Sequence, residues 1–229
     1  MSQLIFKFPF KKKYFEQDFF VSSNNFSAYK LIESWPNWPG KWVNIIGPTG
    51  SGKTHLSKIL EKKIKKLKVV DEINVNDKII SELRNFDCLI IDNFKNKIEG
   101  KLLYSILNQS KQLENFIVIN SKLQLNKFEI KLKDLKSRLN SFIFIGIDLP
   151  TDDLLQVIIS KSFSDKQIYL NPKVSEYIIK NVDRSYEKMF KFLVDLDELS
   201  LSSGKSININ LIKKVLNQWI NLEHIIVQN

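Results

Sequence analysis

Trp42-Val43-Asn44-Ile45-Ile46-Gly47-Pro48-Thr49-Gly50-Ser51-Gly52-Lys53-Thr54 is the stretch that decides the fold. Its first five residues read as a buried strand, and the eight from Gly47 to Thr54 match the phosphate-binding pattern GxxxxGK[ST] without a departure. Each residue type has a physical reason. Backbone N–H groups freed by the glycines wrap phosphates, Lys53 reaches the β and γ groups, and the Thr54 hydroxyl can ligate Mg²⁺. The apolar periodicity that follows predicts a helix from about Lys53 to Lys66, so the loop stands between a strand and a helix, as this chemistry requires.

Working outward, Ser27 to Trp35 reads as a helix ended by Pro36, Asp77 to Asn85 as a short helix and Leu102 to Leu113 as another. Cys88 to Ile91, Phe116 to Ile119 and Phe142 to Ile147 read as strands. This alternation predicts an α/β fold with a parallel sheet and helices on both faces. After Pro150 the pattern is helical only. Thr151 can cap a helix over Asp152 to Phe163, and Asn171 with Pro172 opens one to Lys180. Two more run near Ser185 to Leu199 and Asn210 to Leu222. The predicted organisation is an extended tail over 1–15, an αβα nucleotide-binding domain over 16–149 and a small all-helical lid over 150–229. A mononucleotide site between the last two would be natural.

Composition narrows the function classes. The chain has 229 residues, 43% of them hydrophobic, enough for a buried core and against wholesale disorder. No apolar stretch approaches the roughly 20 residues of a membrane-spanning helix. The lysines near the amino terminus are not followed by the apolar run of a secretion signal, so a cytoplasmic protein is expected. One cysteine and two histidines provide neither an internal disulfide nor a zinc cluster. The net charge of +10 fits a polyanionic partner, but it fits a solvated lysine-rich surface better, because only Arg84, Arg138 and Arg184 are arginines among 35 basic residues. In so lysine-rich a chain an arginine marks a place where a planar, bidentate fork is needed.

The second half of the site is Leu89-Ile90-Ile91-Asp92, an apolar strand ending in a carboxylate placed to orient the Mg²⁺ shell held by Thr54. The next residue departs from expectation. An ATPase that polarises its attacking water usually has a second acid there, and Asn93 cannot accept a proton. Asn120-Ser121 ends the following strand, where a polar side chain would point at the γ-phosphate. Arg138 precedes the last strand and would lie far from its own nucleotide, able to complete a neighbour's site. Arg184 opens the third lid helix and could bridge to the γ-phosphate. His55 and Cys88, taken by themselves, read as packing residues.

Together these residues resemble an AAA+ ATPase, and most closely the central domain of the replication initiator DnaA and its shorter relative, the Hda-type regulatory inactivator of DnaA. The likeness covers nearly the whole chain. Asp18-Phe19-Phe20-Val21-Ser22 with Asn25 and Ala28 resembles the family's entry segment near the adenine base. Trp35-Pro36-Asn37-Trp38-Pro39, the run from Gly47 through His55 and Leu56, and Asp92-Asn93 are similar to the short relative in particular. The resemblance implies ATP or ADP with Mg²⁺ as cofactor. The contacts it implies are Phe20, Val21, Asn25, Gly47, Pro48, Thr49, Gly50, Ser51, Gly52, Lys53, Thr54, His55 and Arg184, with Thr54 and Asp92 on the metal. It makes Asn120 or Ser121 sensor 1, Arg184 sensor 2 and Arg138 an arginine finger acting in trans.

Gln3-Leu4-Ile5-Phe6-Lys7-Phe8 resembles the peptide by which this family docks on the replicative sliding clamp (the polymerase beta subunit), with Gln3 at the pocket mouth and Leu4, Phe6 and Phe8 in apolar pockets. The implied partners are DnaA, that clamp and a second copy of the chain. The chain ends after the lid, so the initiator's helix-turn-helix domain and its sequence-specific DNA binding are not expected. The implied activity is stimulation of ATP hydrolysis by DnaA, with weak turnover of the chain's own nucleotide. The alternative is a helicase-loader-like or truncated initiator-like ATPase that binds DNA directly.

Overall fold

A computed structural model describes residues 16–227, with backbone alone for residue 17 and for 221–227. The tail residues Gln3, Leu4, Phe6 and Phe8 lie outside the described residues. The described chain forms two compact units, 16–148 and 149–227.

The first unit is built on five strands, all parallel, in the order β2-β3-β4-β1-β5. These are β1 (Trp42–Ile46), β2 (Leu67–Asp71), β3 (Cys88–Phe94), β4 (Phe116–Ser121) and β5 (Ile143–Gly146). The central strands are near-continuous apolar runs because both faces of the sheet are covered. Alternation sorts their side chains. Val43, Ile45, Cys88, Ile90 and Val118 pack on one face with α1 (Phe26–Glu33) and α2 (Lys53–Lys63). On the other face Leu89, Ile91, Ile117 and Ile119 pack with α3 (Lys78–Glu82), α4 (Gly100–Gln112) and α5 (Lys133–Asn140). Cys88 is a packing residue, and its burial pushes the thiol pKa up.

Two elements differ from the sequence reading. Leu67–Asp71, given no element, is strand β2 at a sheet edge. Of its apolar residues only Val70 is buried, Leu67 and Val69 are half-buried, and all lie close to Lys65, Lys66 and Lys68, so neither a continuous apolar run nor an alternation stands out. The helix after the loop accordingly stops at Lys63, and Ile64 is extended (φ −113°, ψ 114°) so that the chain turns into β2. The second difference is α5. Only Leu135 and Leu139 of its eight residues are buried, an i, i+4 pair too sparse to stand out.

The helical unit comprises α6 (Asp152–Ser164), α7 (Pro172–Asn181), α8 (Tyr186–Ser203) and α9 (Ile209–Val227) around a core that includes Ile159, Phe163, Ile178, Met189, Phe192 and Ile212. Its starts follow the capping residues. Thr151 Oγ1 accepts from the Leu154 N–H, Asn171 Oδ1 from Lys173 and Ser185 Oγ from Lys188. No described helix is long and apolar enough to cross a membrane.

Candidate nucleotide site

The loop that joins β1 to α2 sits at the carboxyl ends of the parallel strands, where open α/β sheets bind their ligands. Its glycines are demanded by geometry. Gly50 and Gly52 have φ of 82° and 97°, in the left-handed region. A Cβ on Gly47 would stand 2.7 Å from Ser51 Oγ and 2.9 Å from the Ile147 carbonyl, and one on Gly52 would stand 2.9 Å from the Phe19 ring. The Gly47 N–H donates to the Ser121 carbonyl (3.1 Å), anchoring the loop to β4.

Lys53 opens α2 and folds back over the loop, its Nζ donating to the carbonyls of Gly47 (2.6 Å) and Pro48 (2.8 Å). Burial pulls the Lys53 pKa down to about 8, against the raising effect of Asp92 and with a further lowering from Lys122. Thr54 Oγ1 donates to Asp92 Oδ2 at 2.7 Å. Asp92 is buried, and its other oxygen accepts from Asn120 Nδ2 and from the Asn93 N–H, both at 3.0 Å. Four residues from three separate segments, Lys53 and Thr54 on α2, Asp92 on β3 and Asn120 on β4, thus converge beside the loop. The Asn120 amide oxygen and the Ser51 hydroxyl are buried with no hydrogen-bond partner in the protein. The Thr54 hydroxyl, one carboxylate and these orphaned oxygens are a hard oxygen set that fits Mg²⁺.

Asn120 and Ser121 part company. The Ser121 hydroxyl accepts from Asn44 Nδ2 (2.8 Å) and donates to the Leu123 carbonyl, on the opposite face of β4 from Asp92. Successive strand residues face opposite ways, so only one of the pair can address the loop, and it is Asn120. Asn44 was visible in the sequence as the lone polar residue inside an apolar strand. Buried, it also donates to the Ile119 carbonyl (2.8 Å) and accepts from the Leu125 N–H (3.2 Å).

In the entry segment the Asn25 amide is spent on its own backbone. It donates to the Phe20 carbonyl and accepts from the Ser22 N–H, both at 2.9 Å. Phe20 is exposed and Val21 half-buried. The residue that reaches the loop is Phe19, a member of the same segment that is not among the contacts the resemblance implies. It stacks on Tyr29 (5.8 Å between ring centroids), meets His55 edge-on (5.3 Å) and covers Gly52.

Arg138 lies on α5, where Nη2 donates to Asn108 Oδ1 of α4 at 3.0 Å. It lines a groove of about 630 Å³ with Lys41, Trp42, Ser110 and Lys111, at the amino-terminal end of β1. β1 has five residues, so the length of the strand, roughly 15 Å, separates that end from the phosphate loop. Arg138 therefore does not join Lys53 and Asp92. In the helical unit Arg184 precedes the Ser185 cap of α8 and pairs with Asp152 at 3.0 Å.

Residues 152–216 match the family "Hda, lid domain". The chain is 25% identical over 234 residues to the chromosomal replication initiator protein DnaA of Buchnera aphidicola, covering 90% of this chain and 53% of that protein. Domain III of Thermotoga maritima DnaA superposes with a TM-score of 0.73 at 20% identity, covering 92% of this chain and 98% of that one.

The chain is a DnaA-related, Hda-like AAA+ protein. AMPPCP-bound DnaA from Aquifex aeolicus shares the fold at a TM-score of 0.66 and 21% identity over 85% of this chain and 68% of that one. The chain spans about half the length of the curated relatives it matches.

Proposed function

We propose that this protein is a nucleotide-binding regulator of replication initiation that, docked on the sliding clamp, stimulates ATP hydrolysis by DnaA and so prevents re-initiation. The observation that carries this reading is the division between two ends of one sheet. Lys53, Thr54, Asp92 and Asn120 gather at the carboxyl end, whereas Arg138 stands in an open groove at the amino-terminal end of β1. An arginine so placed cannot serve its own phosphates and is available to those of another subunit.

Its own site would hold an adenine nucleotide. The loop N–H groups and Lys53 would take the phosphates, Lys53 exchanging the carbonyls of Gly47 and Pro48 for phosphate oxygens. Thr54 and Asp92 would hold Mg²⁺, which when bound neutralises phosphate charge. Asn120 would fix the Asp92 carboxylate, and Arg184 would act from the lid. With Asn93 where a second acid is usual, turnover at this site would be weak. Arg138 would stabilise charge developing on the γ-phosphate of ATP bound to DnaA, and Gln3, Leu4, Phe6 and Phe8 would supply the clamp contact.

Hydrolysis of DnaA-bound ATP, measured with the clamp, DNA and this protein and then with each omitted in turn, tests the reading. Stimulation should require all of them, and Arg138→Ala should lower it by about 10³-fold while leaving this chain's own nucleotide affinity unchanged. Full stimulation by the Arg138→Ala protein would refute the role of the arginine, and stimulation without the clamp would refute the docking.

A further inference from the structure

The turn after Asp92 is built with more care than a connecting loop needs. Between Ile91 and Phe94 strand β3 carries one residue more than β4 does between Ile119 and Ser121, a bulge at Asp92-Asn93. Asn93 has φ 57°, the left-handed conformation that costs a non-glycine residue of order 1 kcal/mol. Three sets of bonds hold it there. The Asn93 N–H donates to Asp92 Oδ1 at 3.0 Å. Its Nδ2 donates to Asp71 Oδ2 at 2.6 Å, Asp71 being the residue of β2 in register with Asp92. The following loop is tied by buried Glu72, which accepts from the N–H groups of Lys95 (2.9 Å) and Lys97 (2.8 Å).

A carboxylate can only accept, so Asp71 dictates that the Asn93 amide nitrogen faces it and that the amide oxygen faces away. Asp71 is itself fixed, because its Oδ1 accepts from the Ile73 N–H at 3.1 Å. We propose that Asp71 is a positioning residue for the chain's own ATP hydrolysis, aiming the Asn93 amide oxygen so that it holds the attacking water. The carboxylate on the neighbouring strand thereby orients an amide at the position where a second acid is usual beside Asp92. This rests on the reading of the loop as a nucleotide site.

In the step itself the water oxygen bonds to the γ-phosphorus, the bond from that phosphorus to the β,γ-bridging oxygen breaks, and ADP leaves with the electron pair. Asn93 accepts a hydrogen bond but takes no proton, so the proton leaves with phosphate or to solvent. The turnover is accordingly slow.

The test is single-turnover hydrolysis of ATP with Mg²⁺, beside the Kd for a fluorescent ADP analogue. Asp71→Asn no longer dictates the amide's orientation and should lower the rate about tenfold with Kd unchanged within about twofold. Asn93→Gly, which tolerates φ 57° and removes only the amide, should lower it similarly. The exchange Asp71→Asn with Asn93→Asp places a carboxylate at 93 held by an amide at 71. It should exceed the wild-type rate about tenfold and acquire a carboxylate's pH dependence. A wild-type rate in either single variant, an exchanged protein no faster than Asp71→Asn, or no turnover by wild-type protein that binds ATP would each overturn the proposal. Failure of the wild-type chain to bind nucleotide would instead overturn the reading of the loop.

Discussion

Lys53 couples nucleotide binding to protons in a way that can be measured. Burial under the loop carbonyls lowers its pKa from the ordinary 10.5 to about 8. A bound polyphosphate favours the ammonium and returns the pKa toward or above its ordinary value, so binding takes up a proton wherever free Lys53 is neutral. At pH 7 about nine-tenths of free Lys53 is charged and affinity is almost at its maximum; at pH 9 only about one-tenth is charged, and the Kd should be about tenfold higher. Phosphate ionisation, with its second pKa of about 6, is complete over most of this range and does not supply the slope. The assay is isothermal titration with ADP and Mg²⁺ at half-unit steps from pH 7 to 9.5, in buffers of different ionisation enthalpy so that proton uptake is counted directly. Lys53→Arg, which stays charged throughout, should bind with a flat profile. The sign also appears without ligand. Between about 8 and 10.5 the unfolded chain holds the proton that folded Lys53 has lost, so stability should rise with pH across that window. A wild-type Kd independent of pH, or an unchanged slope in Lys53→Arg, would refute the argument.

Other outcomes follow from single contacts. Asp92→Asn keeps the acceptor for Thr54 or Asn120 but removes the site's one carboxylate, so Mg²⁺ should no longer tighten nucleotide binding when affinities are compared with and without chelator. Glu72→Ala orphans the N–H groups of Lys95 and Lys97 and should destabilise by about 2 kcal/mol at unchanged m-value in urea unfolding. Gln3→Ala with Leu4→Ala should abolish capture by the immobilised clamp and leave nucleotide affinity intact; retained capture would reject the docking peptide.

Much of this protein is written in short-range patterns. The loop from Gly47 to Thr54 is legible because phosphate cradling needs particular residues at fixed spacing. The lid helices announce themselves through Thr151, Asn171 and Ser185, whose side chains cap the N–H groups of residues two or three positions on. The central strands are legible because burial on both faces demands an unbroken apolar run. An edge strand such as Leu67–Asp71 makes no such demand, and a helix with two buried leucines makes little.

What the tertiary structure alone decided are meetings between segments far apart in the chain. Pleat and register choose Asn120 over Ser121 to face Asp92. Phe19 is selected as the lid of Gly52 by a contact between residues far apart in the chain, which no local periodicity encodes. The pairing of Asp71 with Asn93 needs β2 beside β3, a bulge and a left-handed residue. Sequence patterns record what a residue asks of its immediate neighbours along the chain; where two strands lie side by side is settled by packing of the whole sheet, and the chemistry at their ends is settled with it.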